Sequence, residues 1–273
     1  MNTQQKVRTR KNVIEIVNEE IVRKISIVQE KDRPHRLKIE AWALSQARRG
    51  GINVPRVIDY YVDRNGREVL TLERIYGKPL RRKITKDTVD SLFDVGIQMN
   101  SVLLDASLNY GWIDSISMSG INKSWPSFLR FYTKKFGEQL VKSGIIEERI
   151  LQKIFNAIDS INLEISAPFL VNGDIRFPHL IRDKSGKVWI VDWENVILGD
   201  PLWDLAFFGT RYGHGILWKA FGSGYRLSFL PPKYTLYEII ALVGTIAFFQ
   251  KHRIKYQGKL KKLLQLVYNF QTL

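Results

Sequence analysis

The chain has 273 residues, and with 45% hydrophobic and 12% aromatic content it can bury a sizeable core in one large domain or two lobes. It has no cysteine, which excludes disulfides, thiolate nucleophiles and cysteine-ligated zinc. Lys and Arg number 42 against 27 Asp and Glu, a net charge of +15 that suits anionic partners or, equally, a generally basic solvated surface.

The start, MNTQQKVRTRK, is basic and lacks the apolar run of a secretory signal. The longest apolar stretch, Leu236 to Phe249, contains Glu238 and is too short to span a bilayer, so it reads as a buried helix. A cytoplasmic protein is expected, with contact to an anionic membrane surface compatible with its charge.

In chain order, residues 12–28 predict a hairpin: Val13 to Val17 and Ile21 to Val28 are β-rich around a turn at Asn18-Glu19. Val22, Lys24, Ser26 and Val28 share one face of the second strand. Residues 35–49 predict a helix, stopped by Gly50-Gly51, and Glu40 lies in it 16 residues after Lys24. Residues 56–62 and 67–75 predict a second hairpin, with Asn65-Gly66 as its turn signal.

From residue 87 the periodicity becomes helical. Residues 88–104 predict one helix, and a loop with Gly111-Trp112 and Gly120 follows. Trp125-Pro126-Ser127-Phe128 opens a helix to about Ser143, and 146–162 gives another with Ile150, Ile154, Ala157 and Ile161 on one face. A helix begins at Pro201, and 233–250 and 257–270 form the last two. Basic clusters at Lys78-Arg81-Arg82-Lys83 and from Lys251 to Lys262 read mainly as solvated faces. No zinc-finger, KH or RRM motif supports nucleic-acid binding.

The chemistry concentrates in residues 169–206. Asn172-Gly173-Asp174 suits a sharp turn after a short strand. Leu180-Ile181 and Val188 to Val191 flank Asp183-Lys184-Ser185-Gly186, a hairpin signal. A two-residue Ser185-Gly186 loop would set His179 opposite Asp192, with Asp174 on the loop entering the hairpin. Two carboxylates there are costly unless a cation or a proton resolves them. Taken singly, each Asp also reads as a turn residue or a strand-end cap.

This run resembles the kinase-like phosphotransferases of the aminoglycoside, hygromycin and choline kinase group. Their usual pattern is His-Gly-Asp, four residues, Asn, a hairpin ending Ile-Asp-Trp, then Gly-Asp-Pro and Asp-Leu-Ala. Here it reads Asn172-Gly173-Asp174, His179, Val191-Asp192-Trp193-Glu194, Gly199-Asp200-Pro201 and Asp204-Leu205-Ala206. His179 stands where a metal-binding Asn is usual, and Asn172 where His is usual. The Gly-Trp and Ser-Trp-x-x-Phe pieces at 111–112 and 124–128 add to the likeness.

The resemblance implies an α+β, bilobal protein-kinase-like fold. Residues 1–76 would form a small antiparallel-sheet N-lobe with one helix, and 77–273 a larger, mainly helical C-lobe. Lys24 would contact the nucleotide phosphates and Glu40 would hold Lys24. Val22 would roof the adenine, and backbone groups around Glu73 and Ile75 would bond its edge. Asp174 would be the base, with Asp192 and His179 as metal ligands. Asp200 and Asp204 would anchor the catalytic loop and cap the helix at Pro201. No Gly-rich loop precedes Lys24 and no Walker A motif occurs, so Arg8 to Asn12 is the electrostatic candidate for a phosphate loop.

The implied cofactors are ATP or GTP with Mg²⁺, or Mn²⁺ because imidazole suits a softer ion. The acceptor would be a small hydroxylated molecule, an anionic one being compatible with the charge. The alternative, prompted by His179, is a degenerate kinase-like protein that binds a nucleotide or partner without transfer.

Overall fold

A computed structural model describes residues 6–28, 34–226 and 230–270; the first five residues of the basic N-terminal stretch lie outside it. Alternating strands near the N-terminus build an antiparallel sheet from β1 (Lys6–Arg8), β2 (Asn12–Ile16), β3 (Ile21–Ser26), β4 (Val57–Val62) and β5 (Glu68–Glu73), in the order β1-β2-β3-β5-β4. β3 sits at the centre, between β2 and β5, so its Lys24 is carried by a strand bonded on both edges.

Helix α1 (Arg36–Arg49) follows β3. Its buried residues Leu37, Ile39, Glu40, Ala43, Leu44 and Ala47 form one stripe at helical spacing. Glu40 and, at the helix start, the likewise buried Arg36 are the charged members of that stripe, so the periodicity that packs the helix also delivers a carboxylate inward.

The remainder is mainly helical. The short strand β10 (Leu180–Arg182) pairs on one edge with β6 (Lys78–Pro79) and on the other with β11 (Val188–Ile190), a three-stranded sheet of order β11-β10-β6. A four-stranded sheet joins β7 (Tyr110–Ile113), β8 (Gly120–Asn122), β9 (Phe169–Val171) and β12 (Ile197–Gly199) in the order β8-β7-β12-β9. The helices are α2 (Lys86–Met99), α3 (Trp125–Lys142), α4 (Glu148–Ser160), α5 (Leu202–Tyr212), α6 (Ile216–Ser223), α7 (Pro232–Lys251) and α8 (Gln257–Phe270).

Local chemistry sets several of these boundaries. The Thr85 hydroxyl accepts the Thr88 N–H at the start of α2, and the Ser124 hydroxyl accepts the Ser127 N–H at the start of α3. In α4, Ile150, Leu151, Ile154 and Ile158 make the buried stripe. In α7 every residue from Leu236 to Ala247 is buried, so this helix is the axis of the helical part, contacting α3, α4, α5 and α8. Trp125, Trp203 and Tyr237 pack edge-to-face around it.

The periodicity located the long helices and the first two hairpins. Three features differ. The basic start contributes β1, which pairs with β2 and makes Arg8 to Asn12 the turn between them. The segment around Gly111 and Gly120 is a strand pair rather than a loop. α2 ends at Met99 instead of running to 104; Val102 is buried beyond its end. α6 gave no clear periodic signal in its short span. Among the described residues, no helix is long and apolar enough to cross a membrane.

Candidate active site

Lys24 is the hub of the site. Its Nζ donates to Glu40 Oε2 and to Asp192 Oδ1, both at 2.8 Å, and lies 3.5 Å from Glu194 Oε2. Burial alone would lower the ammonium pKa, but Glu40, Asp192 and Glu194 more than reverse this and raise it. Burial pushes the Glu40 carboxyl up to about 7 against the pull of Lys24, with Asp192 and Glu194 adding repulsion. Glu40 Oε1 also accepts the Trp193 N–H at 3.2 Å, which ties the helix to the hairpin end.

The hairpin delivering Asp192 is one residue out of the register the sequence suggested. Leu180 pairs with Ile190, Ile181 with Trp189 and Arg182 with Val188. Asp183 and Lys187 close the turn around a three-residue loop, Lys184-Ser185-Gly186, whose last residue takes the left-handed backbone (φ 90°) that glycine adopts freely. His179 therefore faces Val191, whose N–H its carbonyl accepts at 2.9 Å. Asp192 still meets His179 because it leaves the strand in a left-handed conformation (φ 64°), bringing Oδ2 to 3.2 Å from His179 Nε2. Burial opposes the Asp192 charge, but Lys24 above all, and His179, hold its carboxyl down at about 2.

Asp174 sits on the loop after β9. The turn is fixed from within, because Asn172 Oδ1 accepts the Asp174 N–H at 3.0 Å. Gly173 adopts φ 77°, and a Cβ there would lie 2.3 Å from the Asn195 carbonyl, so the loop requires glycine. The Asp174 carboxylate is nearly buried. It accepts Arg211 Nη2 at 2.6 Å on Oδ1, with Arg176 Nε 3.3 Å from Oδ2. His179 Nδ1 lies 3.2 Å from the Asp174 carbonyl, and Arg176 Nε donates to His179 Nε2 at 2.7 Å. These contacts fit a neutral imidazole with its proton on Nδ1. Burial, the largest influence, lowers the His179 pKa and so favours the neutral form.

Below the loop, Asp204 in α5 is fully buried and takes the N–H groups of Asn172 and Gly173 on its two oxygens. Burial raises its pKa to about 7, against those two hydrogen bonds. Asp200 Oδ1 accepts the Leu202 N–H at 3.0 Å at the start of α5, and Oδ2 accepts Lys233 Nζ and the Tyr237 hydroxyl. The structural tasks expected of both residues are visible in these bonds.

The remaining expected positions divide. The Glu73 N–H is already committed to the Arg56 carbonyl at 2.9 Å, and its carboxylate accepts the Arg56 N–H. Ile75 is half-buried just beyond β5. Val22 packs against the core on the face of Lys24. The β1–β2 turn reaches the site through Asn12, whose Nδ2 donates to Glu194 Oε2 at 2.9 Å, and through Lys11, 3.7 Å from Glu194 Oε1.

Sequence reasoning missed Glu194, Arg36, Arg176 and Arg211. Glu194 lies two residues after Asp192, so its signal was present in the motif. Arg36 donates to the Glu194 carbonyl and to Asn195 Oδ1. Arg36 and Arg211 act across long separations that no local pattern marks, whereas Arg176 lies on the Asp174 loop itself, close in sequence to both Asp174 and His179.

For a divalent ion the donor chemistry fits. Asp192 offers oxygen, and His179 Nε2, 3.2 Å away, would offer its lone pair on release from Arg176, so that a bridging cation would resolve the two acceptors. Glu40, Asp192 and Glu194 also place carboxylate oxygens within 4.8 Å of one another.

The chain matches the model of the phosphotransferase enzyme family over residues 18–237. No curated protein matches it. Among solved structures it is similar to a thermostable mutant of aminoglycoside phosphotransferase APH(4)-Ia in ternary complex with AMP-PNP and hygromycin B, at TM-score 0.75 and 13% identity, covering 98% of this chain and 94% of that one. It is also similar to a putative fructosamine-3-kinase from Haemophilus somnus 129PT, at TM-score 0.67 and 17% identity, covering 98% and 91%. The kanamycin and GDP complex of the aminoglycoside phosphotransferase APH(2")-IIIa gives TM-score 0.67 at 13% identity, covering 100% and 94%. Antiparallel sheet, helical remainder and the 18–237 match agree: the chain belongs to the phosphotransferase enzyme family and has its kinase-like fold.

Proposed function

We propose that this phosphotransferase moves the γ-phosphoryl group of ATP or GTP to a hydroxyl of a small molecule. The observation that carries this reading is the Lys24 ammonium held at 2.8 Å by both Glu40 and Asp192, with Asp174 and His179 at the same mouth. Residues 1–76 would hold the nucleotide, Ile75 offering backbone groups to the adenine more readily than Glu73. Residues 77–273 would supply the catalytic loop and the acceptor site.

Phosphoryl transfer needs alignment and charge neutralisation more than covalent help. The acceptor oxygen attacks the γ-phosphorus. A new O–P bond forms as the bond to the β,γ-bridging oxygen breaks, and the nucleoside diphosphate leaves. The acceptor proton passes to an Asp174 carboxylate oxygen, Arg211 and Arg176 fixing the carboxylate while this happens. Lys24 turns from Asp192 to the donor phosphates and stays protonated. Asp192 and His179 would hold the divalent ion, which supplies positive charge against the β- and γ-phosphates when bound. The imidazole favours Mn²⁺ over Mg²⁺.

The test is nucleotide binding by calorimetry with Mg²⁺ or Mn²⁺, beside a turnover assay on the parent and on Asp174→Asn. Loss of a general base should lower turnover by about 10²–10⁴-fold while nucleotide binding persists. Full activity in the variant would overturn the base assignment. Binding without any turnover in the parent would overturn transfer.

A further inference from the structure

A cavity of about 440 Å³ opens where the C-terminal end of α5 meets the start of α8, and Thr210, Lys255, Tyr256, Lys259 and Lys262 line it. Thr210 in its lining precedes Arg211, whose guanidinium donates to Asp174 at 2.6 Å and is close enough to Lys259 to act on its charge, so Arg211 links the cavity to the proposed base. Arg82 approaches from the other side, donating to the Tyr212 carbonyl at 3.0 Å.

Four of these cations crowd one another. The Lys259 pKa is lowered, first by burial and then by Arg211, Lys262 and Arg82. Asp174 answers Arg211, and Glu238, 2% exposed, is shared between Lys262 and His214. Part of the cluster has a structural task. Lys259 donates to the Thr210 carbonyl and Arg82 to that of Tyr212, covering the negative end of α5. Capping uses one of the three donors of the Lys259 ammonium and one of the five of the Arg82 guanidinium. It does not account for Lys255, which is exposed at the rim, or for Lys262, which points to Glu238 rather than to the helix end.

We propose that the phosphoryl acceptor carries its own phosphate-type oxyanion, seated among Lys255, Lys259 and Lys262, with its free hydroxyl at Asp174. This rests on the transfer reading above and adds the substrate class. An ammonium-bearing aminosugar would meet like charge in this cavity, whereas a phosphorylated polyol or headgroup would meet opposite charge. The hydroxyl of the phosphorylated compound attacks the γ-phosphorus, the bond to the bridging oxygen breaks, and the proton goes to Asp174. The products are the doubly phosphorylated compound and the nucleoside diphosphate.

The experiment uses the full chain and matched acceptors: glycerol against glycerol 3-phosphate, glucose against glucose 6-phosphate, kanamycin as the cationic arm, and vesicles of phosphatidylglycerol. Each charge-assisted hydrogen bond that an acceptor cannot make should cost about tenfold in kcat/KM, so phosphorylated acceptors should exceed their neutral partners by about tenfold or more. Turnover of the soluble esters identifies a free phosphate ester, and turnover of the vesicles a lipid headgroup; either supports the proposal.

Lys255→Gln and Lys262→Gln should each raise the KM for the phosphorylated acceptor, with melting midpoint and ATP affinity as folding controls. Neutral or cationic acceptors used as well as phosphorylated ones would overturn the proposal while leaving transfer standing. Calorimetry with glycerol 3-phosphate alone tests the cavity independently of turnover. Weak binding that disappears in the Lys255→Gln/Lys262→Gln double variant is expected, and no binding, or binding unchanged by it, would overturn the proposal. Absence of ATP binding would instead strike the transfer reading.

Discussion

Asp204 Oδ1 accepts the Gly173 N–H at 2.8 Å across 31 residues of chain, and its other oxygen takes the N–H of Asn172 at 2.9 Å. A single buried carboxylate thus sets the backbone of the loop that presents Asp174. Its folded pKa, about 7, lies above the ordinary 3.8, so the folded state holds a proton that the unfolded state has released between those values. The Asp204 contribution to stability is therefore full below pH 4 and is lost as pH rises through 7. Asn at this position can accept only one of the two N–H groups. Urea titrations should show Asp204→Asn less stable by about 1–3 kcal/mol at pH 5, with the gap to the parent narrowing toward pH 8. A gap that is constant or widens with pH would sink the assignment.

Lys24 is the cation among three carboxylates, and removing it leaves Glu40, Asp192 and Glu194 to repel one another. Breaking such a pair from one side costs about 3 kcal/mol or more. Lys24→Met should therefore melt well below the parent at pH 8 and less so at pH 6, where Glu40 takes up its proton. Mn²⁺ should raise the melting midpoint of this variant more than that of the parent. Glu40→Gln, which leaves Lys24 two partners, should be the milder change. Calorimetric scanning that finds the two equally stable would contradict the hub role.

His179→Asn replaces an imidazole nitrogen with a carbonyl oxygen beside Asp192. Mg²⁺ prefers oxygen donors in octahedral arrangements, so the variant should shift metal preference from Mn²⁺ toward Mg²⁺. The ratio of activities in the two metals is the measurement. An unchanged ratio would show that His179 does not touch the ion.

Tyr237 relays between Trp125 and Asp200: its hydroxyl accepts the Trp125 indole N–H at 2.8 Å and donates to Asp200 Oδ2 at 3.0 Å. Tyr237→Phe orphans a fully buried indole donor and should cost about 1–3 kcal/mol. The altered environment of Trp125 should also appear in near-ultraviolet circular dichroism. A variant as stable as the parent would mean that another group satisfies the indole.

The sequence made the long amphipathic elements readable, because burial imposes period 3.6 on α1, α3 and α4 and sets Lys24 and Ser26 two apart on one face of β3. The run from Asn172 to Ala206 stood out through its resemblance to the kinase-like phosphotransferases; taken singly, its aspartates also read as turn residues or strand-end caps. What escaped was non-local or very short. β1 has three residues, all exposed, and forms only because β2 offers an edge. The hairpin register depended on turn geometry, where Ser185-Gly186 suits a two-residue loop but a longer turn closed by Asp183 and Lys187 prevails. Arg211 reached Asp174 from α5, and no spacing rule encodes such a meeting; Arg176 stood on the same loop as Asp174 and was overlooked there. Glu194 was in plain view, but its role emerges only when Asn12, Lys24 and Arg36 converge on it from the other side of the cleft.

The left-handed backbone of Asp192 has an evolutionary side. Few residues tolerate that conformation, and Asn is among the best of them. A change of Asp192 to Asn would keep the chain's path while erasing a negative charge from the mouth. A single substitution would thus remove the carboxylate proposed to hold the divalent ion while leaving the backbone and the Lys24 ammonium in place, a short route from transfer to binding alone.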